Sequence, residues 1–276
     1  MGFWVALLTG VTSGPSLPPV SALLDCARDA DITLVAAHRA GGFAPGIPEN
    51  SLAGIRAAAA LGAAFAEVDL RETADGEIVL MHDETLDRTT TGRGRVGHHT
   101  LAELRRVQLV NPHGRPTSET VPTLNEALAV AQAEGIYLEL DLKGVEAHGI
   151  ARQLRENGHA DETILILYNT SPAAAIQAIA PNLGLSLPLT DRDDVLNSEL
   201  DFSTLVSWVG HGVPNARTEA LLTGQGIETA MHDFPGERDG TIDYAFIDAM
   251  HVELLASDNP QAAVAVLGDW RPVCGR

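Results

Sequence analysis

Basic residues are scarce in this chain: 18 Lys and Arg stand against 37 Asp and Glu, for a formal charge of −19. That deficit argues against a nucleic-acid partner, because neutralising a phosphate backbone takes clustered cations. It argues equally against adhesion to an anionic membrane surface. Long apolar runs are missing as well. Nothing approaches the ~20 residues of a membrane helix, so no stable membrane insertion is expected. The N-terminus carries a short apolar patch, Phe3 to Leu8, without a basic n-region or a small-x-small cleavage site. No serine, Ser13 and Ser21 included, lies in a nucleophile-elbow pattern, which speaks against an acyl hydrolase. Cysteine is limited to Cys26 and Cys274, near opposite ends of the sequence.

What is present is an ordinary globular composition, 45% hydrophobic and 20% charged, over 276 residues. Apolar or β-branched runs occur at Ile32–His38, Phe65–Leu70, Ile136–Lys143, Thr163–Tyr168, Gly184–Leu189, Leu205–Gly210, Ile227–Met231 and Val252–Ser257. Alanine-rich or amphipathic stretches separate most of them. One such stretch opens on Asn50-Ser51 and stops at Gly62; another opens on a capping box, Thr123 with Glu126, and stops at Gly135. Ser171-Pro172 offers a third cap. Eight strands alternating with helices read as an α/β fold, a (β/α)8 TIM-type barrel, with an open doubly wound sheet as the alternative. Residues 1–30 read as an N-terminal tether (Ser13 to Pro19), the remnant of an export signal, and a lead-in helix. Residues 31–276 then form a single catalytic barrel domain. In a closed barrel the first and last strands are neighbours, so Cys26 and Cys274 can meet as a disulfide suited to an exported enzyme. Two separate buried thiols fit the sequence equally well.

One link breaks the alternation. Only "RETADG" separates Leu70 from Glu77, too little for a parallel crossover, and Asp75-Gly76 is a hairpin signal. Glu77–Asp83 is therefore expected to fold back antiparallel on Phe65–Leu70, as an extra strand outside the eight. Folding about the middle of the link sets Glu67 opposite His82.

Four strand ends carry polar residues where apolar ones are expected: His38-Arg39; Glu67 and Asp69; His82-Asp83; and Glu139, Asp141 and Lys143. Strand C-termini form the active face of such barrels. Glu67 and Asp69 are two apart, so they share a side of their strand, as do Glu139, Asp141 and Lys143. Converging carboxylates repel unless a cation or a shared proton lies among them, and hard divalent ions take oxygen ligands of this kind.

These residues resemble a known family. The stretch "AHRAGG…PENSLAGIRAAAALGAAFAEVDLRETADGEIVLMHDETLDRTTTGRGRV", with "LELDLK" and the late "LLASDNP", is similar to the glycerophosphodiester phosphodiesterases. The resemblance implies a variant (β/α)8 barrel that binds one divalent ion, Ca²⁺ or Mg²⁺. It implies His38 and His82 as the acid–base pair, and Arg39 and Lys143 as contacts to the substrate phosphate. Glu67, Asp69 and Asp141 match the metal ligands, with Glu139 as a substitute. Three departures accompany the match. Ala40 follows His38-Arg39 where glycine is usual, Asp141 is shorter than the usual glutamate, and "IETAMHD" lacks the tryptophan expected to line the pocket.

The expected function is hydrolysis of small glycerophosphodiesters to an alcohol and glycerol 3-phosphate, with His38 as base and His82 as acid or the two exchanged, and with water or the glycerol 2-hydroxyl as nucleophile. A lyase-like phospholipase leaving a cyclic phosphate, or a non-catalytic phosphate-binding barrel, are the alternatives. Arg88, Arg93 and Arg95 read as a polar loop able to gather an anionic substrate, while His98, His99 and His232 read as structural. A periplasmic or secreted location is preferred over the cytoplasm. Nothing in the sequence sets the oligomeric state, the metal or the leaving alcohol.

Overall fold

Each of the eight apolar runs forms a parallel strand. A computed structural model describes residues 17–275. In chain order the strands are β1 (Leu34–Ala37), β2 (Phe65–Glu72), β3 (Ile78–Leu80), β4 (Gln108–Val110), β5 (Pro116–Thr120), β6 (Tyr137–Leu142), β7 (Thr163–Ile166), β8 (Gly184–Leu187), β9 (Leu205–His211), β10 (Glu228–His232) and β11 (Leu254–Ser257). β1, β2 and β6 to β11 pair in that circular order, and β11 returns to β1, closing an eight-stranded parallel barrel. β1, β8 and β11 are buried along their whole length, and β6, β7 and β10 at every position but the last, as the apolar runs require when helices cover a parallel sheet.

The helices are α1 (Val20–Ala30), α2 (Leu52–Leu61), α3 (Leu101–Leu104), α4 (Leu124–Glu134), α5 (Ala147–Glu156), α6 (Ala173–Ile179), α7 (Arg192–Leu196), α8 (Ala216–Thr223), α9 (Phe234–Asp239), α10 (Tyr244–Asp248), α11 (Pro260–Leu267) and α12 (Arg271–Cys274). The two stop–start readings hold at α2 and α4. The Ser51 side chain caps Gly54 N, Thr123 and Glu126 form the capping box, and Gly62 and Gly135 take left-handed conformations. Ser171 does not cap α6. That helix starts at Ala173 with Pro172 before it and no capping side chain, because proline in the preceding turn already fixes the entry.

The extra strand is present, and its register differs by one residue from expectation. β3 runs antiparallel on β2 with Leu70 opposite Leu80 and Glu72 opposite Ile78. The loop Thr73–Glu77 is closed by Thr73 N to Glu77 O (3.0 Å) and by the Thr73 hydroxyl on Asp75 (2.7 Å). It therefore holds five residues, one more than a fold about the link's centre. The ladder ends at Leu80, so His82 is not paired with Glu67. A second antiparallel pair, β4–β5, lies in the insertion before α4. Its sequence is too polar to have signalled a strand.

α1 closes the opposite end. Its apolar face, Val20, Leu23, Leu24 and Ala27, packs on Leu34, Phe65, Tyr137, Ile164 and Leu254, the first buried positions of the strands. Cys26 and Cys274 are joined in a disulfide, Cα to Cα 5.8 Å, which ties α1 to α12. A crosslink of so long a loop contributes stability of roughly 2–4 kcal/mol by restricting the unfolded chain. The patch Phe3–Leu8 and most of the expected tether lie outside the described residues.

Candidate active site

The strand β1 ends in a tight turn, His38–Ala40, in which Arg39 (φ +54°) and Ala40 (φ +37°) are left-handed. Two glycines make room for it. A Cβ on Gly54 would stand 1.4 Å from the Ala40 carbonyl oxygen, and one on Gly41 would stand 2.1 Å from the Pro48 oxygen. The turn aims the Arg39 backbone N–H at Glu67 Oε2 (2.6 Å). Ala40 thus occupies a conformation that glycine adopts without penalty, which is the physical content of its departure from the family motif.

The His38 imidazole is fixed on two sides. Its Nδ1 is 2.7 Å from Asp258 Oδ1, and its ring stacks on Phe234 at 4.3 Å with an interplanar angle of 16°. With Nδ1 donating to the carboxylate, Nε2 is left unprotonated and lies 3.9 Å from Glu67. His82 is oriented in the same manner, Nδ1 to Asp83 at 2.8 Å. Asp83 in turn is gripped by Arg88 through Nε (2.7 Å) and Nη2 (2.8 Å), and these bonds hold its carboxyl well below the usual range. Arg88 also bonds Glu49, and Arg39 reaches the same carboxylate at 3.3 Å. Burial opposes ionisation of Glu49, yet the two guanidinium groups keep it below its ordinary value. Arg71 joins two sides of the mouth, donating to the His82 carbonyl at 2.7 Å and the Lys143 carbonyl at 3.0 Å.

The four acids form two rungs across β2 and β6: Glu67 is opposite Glu139 and Asp69 opposite Asp141. All are buried. Ligand oxygens of Glu67, Asp69 and Asp141 lie within 4.8 Å of one another. Asn50 clamps Asp69, donating to Oδ2 (2.7 Å) and accepting from its backbone N–H (2.9 Å). Lys143 Nζ sits 2.5 Å from Asp141 and 3.3 Å from Asp69, and the Tyr168 hydroxyl lies 2.7 Å from Asp141. Even so, burial and the neighbouring Asp69 push the Glu67 carboxyl well up. Burial and Asp141 push Glu139 to about 8. One lysine does not neutralise this cluster, and hard oxygen donors so arranged fit a divalent cation.

A cavity of about 310 Å³ opens beside the acids, lined by His38, Glu67, Glu139, Asp141, Trp208, His232 and Phe234 among others. The expected loss of a pocket tryptophan is thereby corrected: Trp208, on β9 rather than β10, lines it. His232, expected to be structural, also belongs to the lining. Burial first, then the neighbouring His211 and His38, keep its imidazole below its ordinary value.

The structure brings His38, Glu67, Asp69, Asp141, Glu139 and Lys143 to one end of the barrel. His82 and Arg39 join them through the Glu49–Arg88–Asp83 chain. Arg93 and Arg95 pair with Asp87 and Glu84 instead, and His99 bonds a backbone oxygen. Sequence reasoning missed Asn50, read only as part of a cap signal, together with Glu49, Arg71, Tyr168 and Phe234. It also gave Asp258 no role, although Ser257-Asp258 is one more polar strand end.

Fold and mouth together define a class: a (β/α)8 barrel whose C-terminal rim gathers carboxylates and imidazoles, with an antiparallel strand after β2. Residues 38–174 match the glycerophosphoryl diester phosphodiesterase family, and the chain belongs to that family. It is 31% identical over 163 residues to a glycerophosphodiester phosphodiesterase of Caldanaerobacter subterraneus, covering 56% of this chain and 66% of that protein. It is 35% identical over 185 residues to the human glycerophosphodiester phosphodiesterase 1, covering 66% and 53%. The chain thus spans about half to two thirds of the length of these relatives. A crystal structure of a glycerophosphoryl diester phosphodiesterase from Parabacteroides distasonis superposes with a TM-score of 0.81 at 25% identity, covering 92% of this chain and 93% of that one. An Oleispira antarctica phosphodiesterase, solved in complex with the product sn-glycerol-3-phosphate, shares the fold at 21% identity and TM-score 0.67, covering 86% and 98%.

Proposed function

We propose that this chain hydrolyses glycerophosphodiesters to glycerol 3-phosphate and an alcohol. The observation that carries the reading is the pairing of two carboxylate-oriented histidines with a buried acidic triad at one rim. His38, with Nδ1 on Asp258, presents Nε2 as the base toward the attacking hydroxyl. His82, with Nδ1–H on Asp83, would act as the acid in its doubly protonated form, giving the Nε2 proton to the departing alcohol oxygen. An imidazole suits both tasks near neutral pH. Arg39 and Lys143 bind the non-bridging phosphoryl oxygens. Glu67, Asp69 and Asp141 would hold one divalent ion, Ca²⁺ or Mg²⁺, with Glu139 one rung below as a further oxygen donor. Such an ion supplies positive charge against the charge that builds on phosphorus-bound oxygen. The Oleispira complex supports a small phosphate ester as the ligand.

Release of glycerol 3-phosphate from glycerophosphocholine, with and without EDTA, tests this. Activity should vanish with the chelator and return with added Ca²⁺ or Mg²⁺. His38→Ala and His82→Ala should each lower turnover by about 10²–10⁴ while leaving the melting curve in place. Full activity in either variant removes that histidine, and chelator-resistant turnover removes the metal. The Cys26–Cys274 bond favours an oxidising location outside the cytoplasm. Among the described residues no helix is long and apolar enough to cross a membrane.

A further inference from the structure

The short helix α9 touches the His38 assembly from two sides. It starts under an aspartate cap, with Asp233 Oδ1 accepting from the Gly236 N–H at 3.0 Å. A Cβ on Gly236 would stand 2.2 Å from the Asp233 carboxylate, so the cap closes only over glycine. Phe234 and Glu237 are three residues apart and share a side of the helix. Phe234 stacks on the face of His38 at 4.3 Å. Glu237 reaches the end of β11, where its Oε2 accepts the Asp258 backbone N–H at 2.6 Å. Its Oε1 accepts the Ser257 hydroxyl and, from α10, the Tyr244 hydroxyl at 2.9 Å. The Asp258 side chain is 53% exposed, so packing does not fix the carboxylate that bonds His38 Nδ1. The backbone that carries it does, and Glu237 pins that backbone.

We propose that Glu237 is a positioning residue for the reaction, holding Asp258 where its carboxylate meets His38. This inference rests on the phosphodiesterase reading and names the device that orients its base. Without the Glu237 carboxylate, the Asp258 N–H and the Ser257 hydroxyl both lose their acceptor. Ser257 is fully buried, so its hydroxyl must find another partner. That hydroxyl also accepts the Asn259 N–H at 3.0 Å, and the whole turn after β11 loosens with it. His38 then keeps the Phe234 stack and loses its directed partner. The effect of Glu237 travels through Asp258 alone, which separates it from a brace that merely ties α9 to α10 and β11.

The test is a double-mutant cycle on glycerophosphocholine. Glu237→Ala should lower kcat about 5- to 50-fold and change KM less than about threefold, because the base acts once substrate is bound. The double variant Glu237→Ala, Asp258→Ala should stay within about threefold of Asp258→Ala alone. Losses that multiply overturn the proposal, since they show Glu237 acting by another route. Glu237→Gln keeps an oxygen for the Asp258 N–H, and the two hydroxyls can turn to accept from its amide. It should hold kcat within about threefold of the unmodified protein, and a loss as large as that of the alanine variant overturns the proposal. If Glu237→Ala does not fold, Glu237→Asp, one methylene short of Asp258, replaces it in the cycle with the same two outcomes. If the unmodified protein turns over no diester, the phosphodiesterase reading falls by itself, and the imidazole nitrogens decide the positioning. Long-range 1H–15N spectra at alkaline pH, with the His38 signal assigned by its loss in His38→Ala, should show the Nδ1–H tautomer alone in the unmodified protein and a mixture in Glu237→Ala. The same single tautomer in both overturns the proposal.

Discussion

Asp258 shows how much a single exposed carboxylate can matter when it faces an imidazole. Its oxygen sits 2.7 Å from His38 Nδ1, and its own backbone N–H is held by Glu237 Oε2 at 2.6 Å, so the acid is positioned rather than free. Two effects follow for His38: the tautomer with Nε2 unprotonated is selected, and the ring is kept from rotating about its bond to Cβ. Phe234 adds the second constraint from the face. Removing the carboxylate leaves the stack, so orientation is weakened and not abolished. Asp258→Ala should therefore lower turnover by roughly 10- to 100-fold, less than His38→Ala, with the melting temperature unchanged within error. Turnover at the unmodified level would show that Phe234 alone positions the base. The same logic explains Asn50. Its left-handed φ of +52° suits an asparagine, and its amide saturates Asp69 from the side away from Lys143.

At the scale of elements, α2 and the β1 turn are built against each other. Gly54 sits in the first turn of α2, where a glycine weakens a helix by about 1 kcal/mol relative to alanine, so its presence needs a packing reason. The reason is the 1.4 Å separation that a Cβ would have from the Ala40 carbonyl oxygen. That contact is with backbone and cannot be relieved by a side-chain rotation, so helix or turn must move. Gly54→Ala should destabilise the fold by about 1–3 kcal/mol in urea titration, despite its better helix propensity. It should also reduce turnover by at least about tenfold, because His38 and Arg39 ride on the displaced turn. A stabilised, fully active Gly54→Ala protein would mean the turn is not set by this packing. Such a constraint is invisible in the sequence, where Gly54 reads as an ordinary interruption of an alanine-rich helix. What the sequence did show was periodic: eight apolar runs, two capped helices, and acids two apart on β2 and β6. What it hid was cross-chain. Trp208 and Phe234 enter the pocket from neighbouring segments that pattern alone cannot orient, and the hairpin register shifted because Thr73 and Asp75 bond across a five-residue loop.

Considered whole, the barrel buries acids at both ends and manages them differently. At the mouth, four carboxylates crowd one lysine, and burial with the neighbouring acids pushes Glu67 and Glu139 up. At the floor, Glu228 is paired with Arg28, while Glu253 is served by neutral donors only, the Thr229 N–H at 2.7 Å and the Thr229 hydroxyl at 3.0 Å. Burial pushes Glu253 from an ordinary value near 4.5 up to about 7. The folded protein thus holds a proton on Glu253 that the unfolded chain releases near 4.5. The contribution to stability is full below that pH and is lost as pH rises through about 7. Glu253→Gln keeps the shape and an oxygen for Thr229 without the titrating charge. At pH 4 the variant and the unmodified protein should be equally stable to within about 1 kcal/mol. By pH 9 the variant should be the more stable by about 1–3 kcal/mol, read from urea midpoints across the range. Parallel stability curves would show that Glu253 takes up its proton alike in the folded and unfolded chain, so that water or Thr229 solvates its charge fully in the barrel.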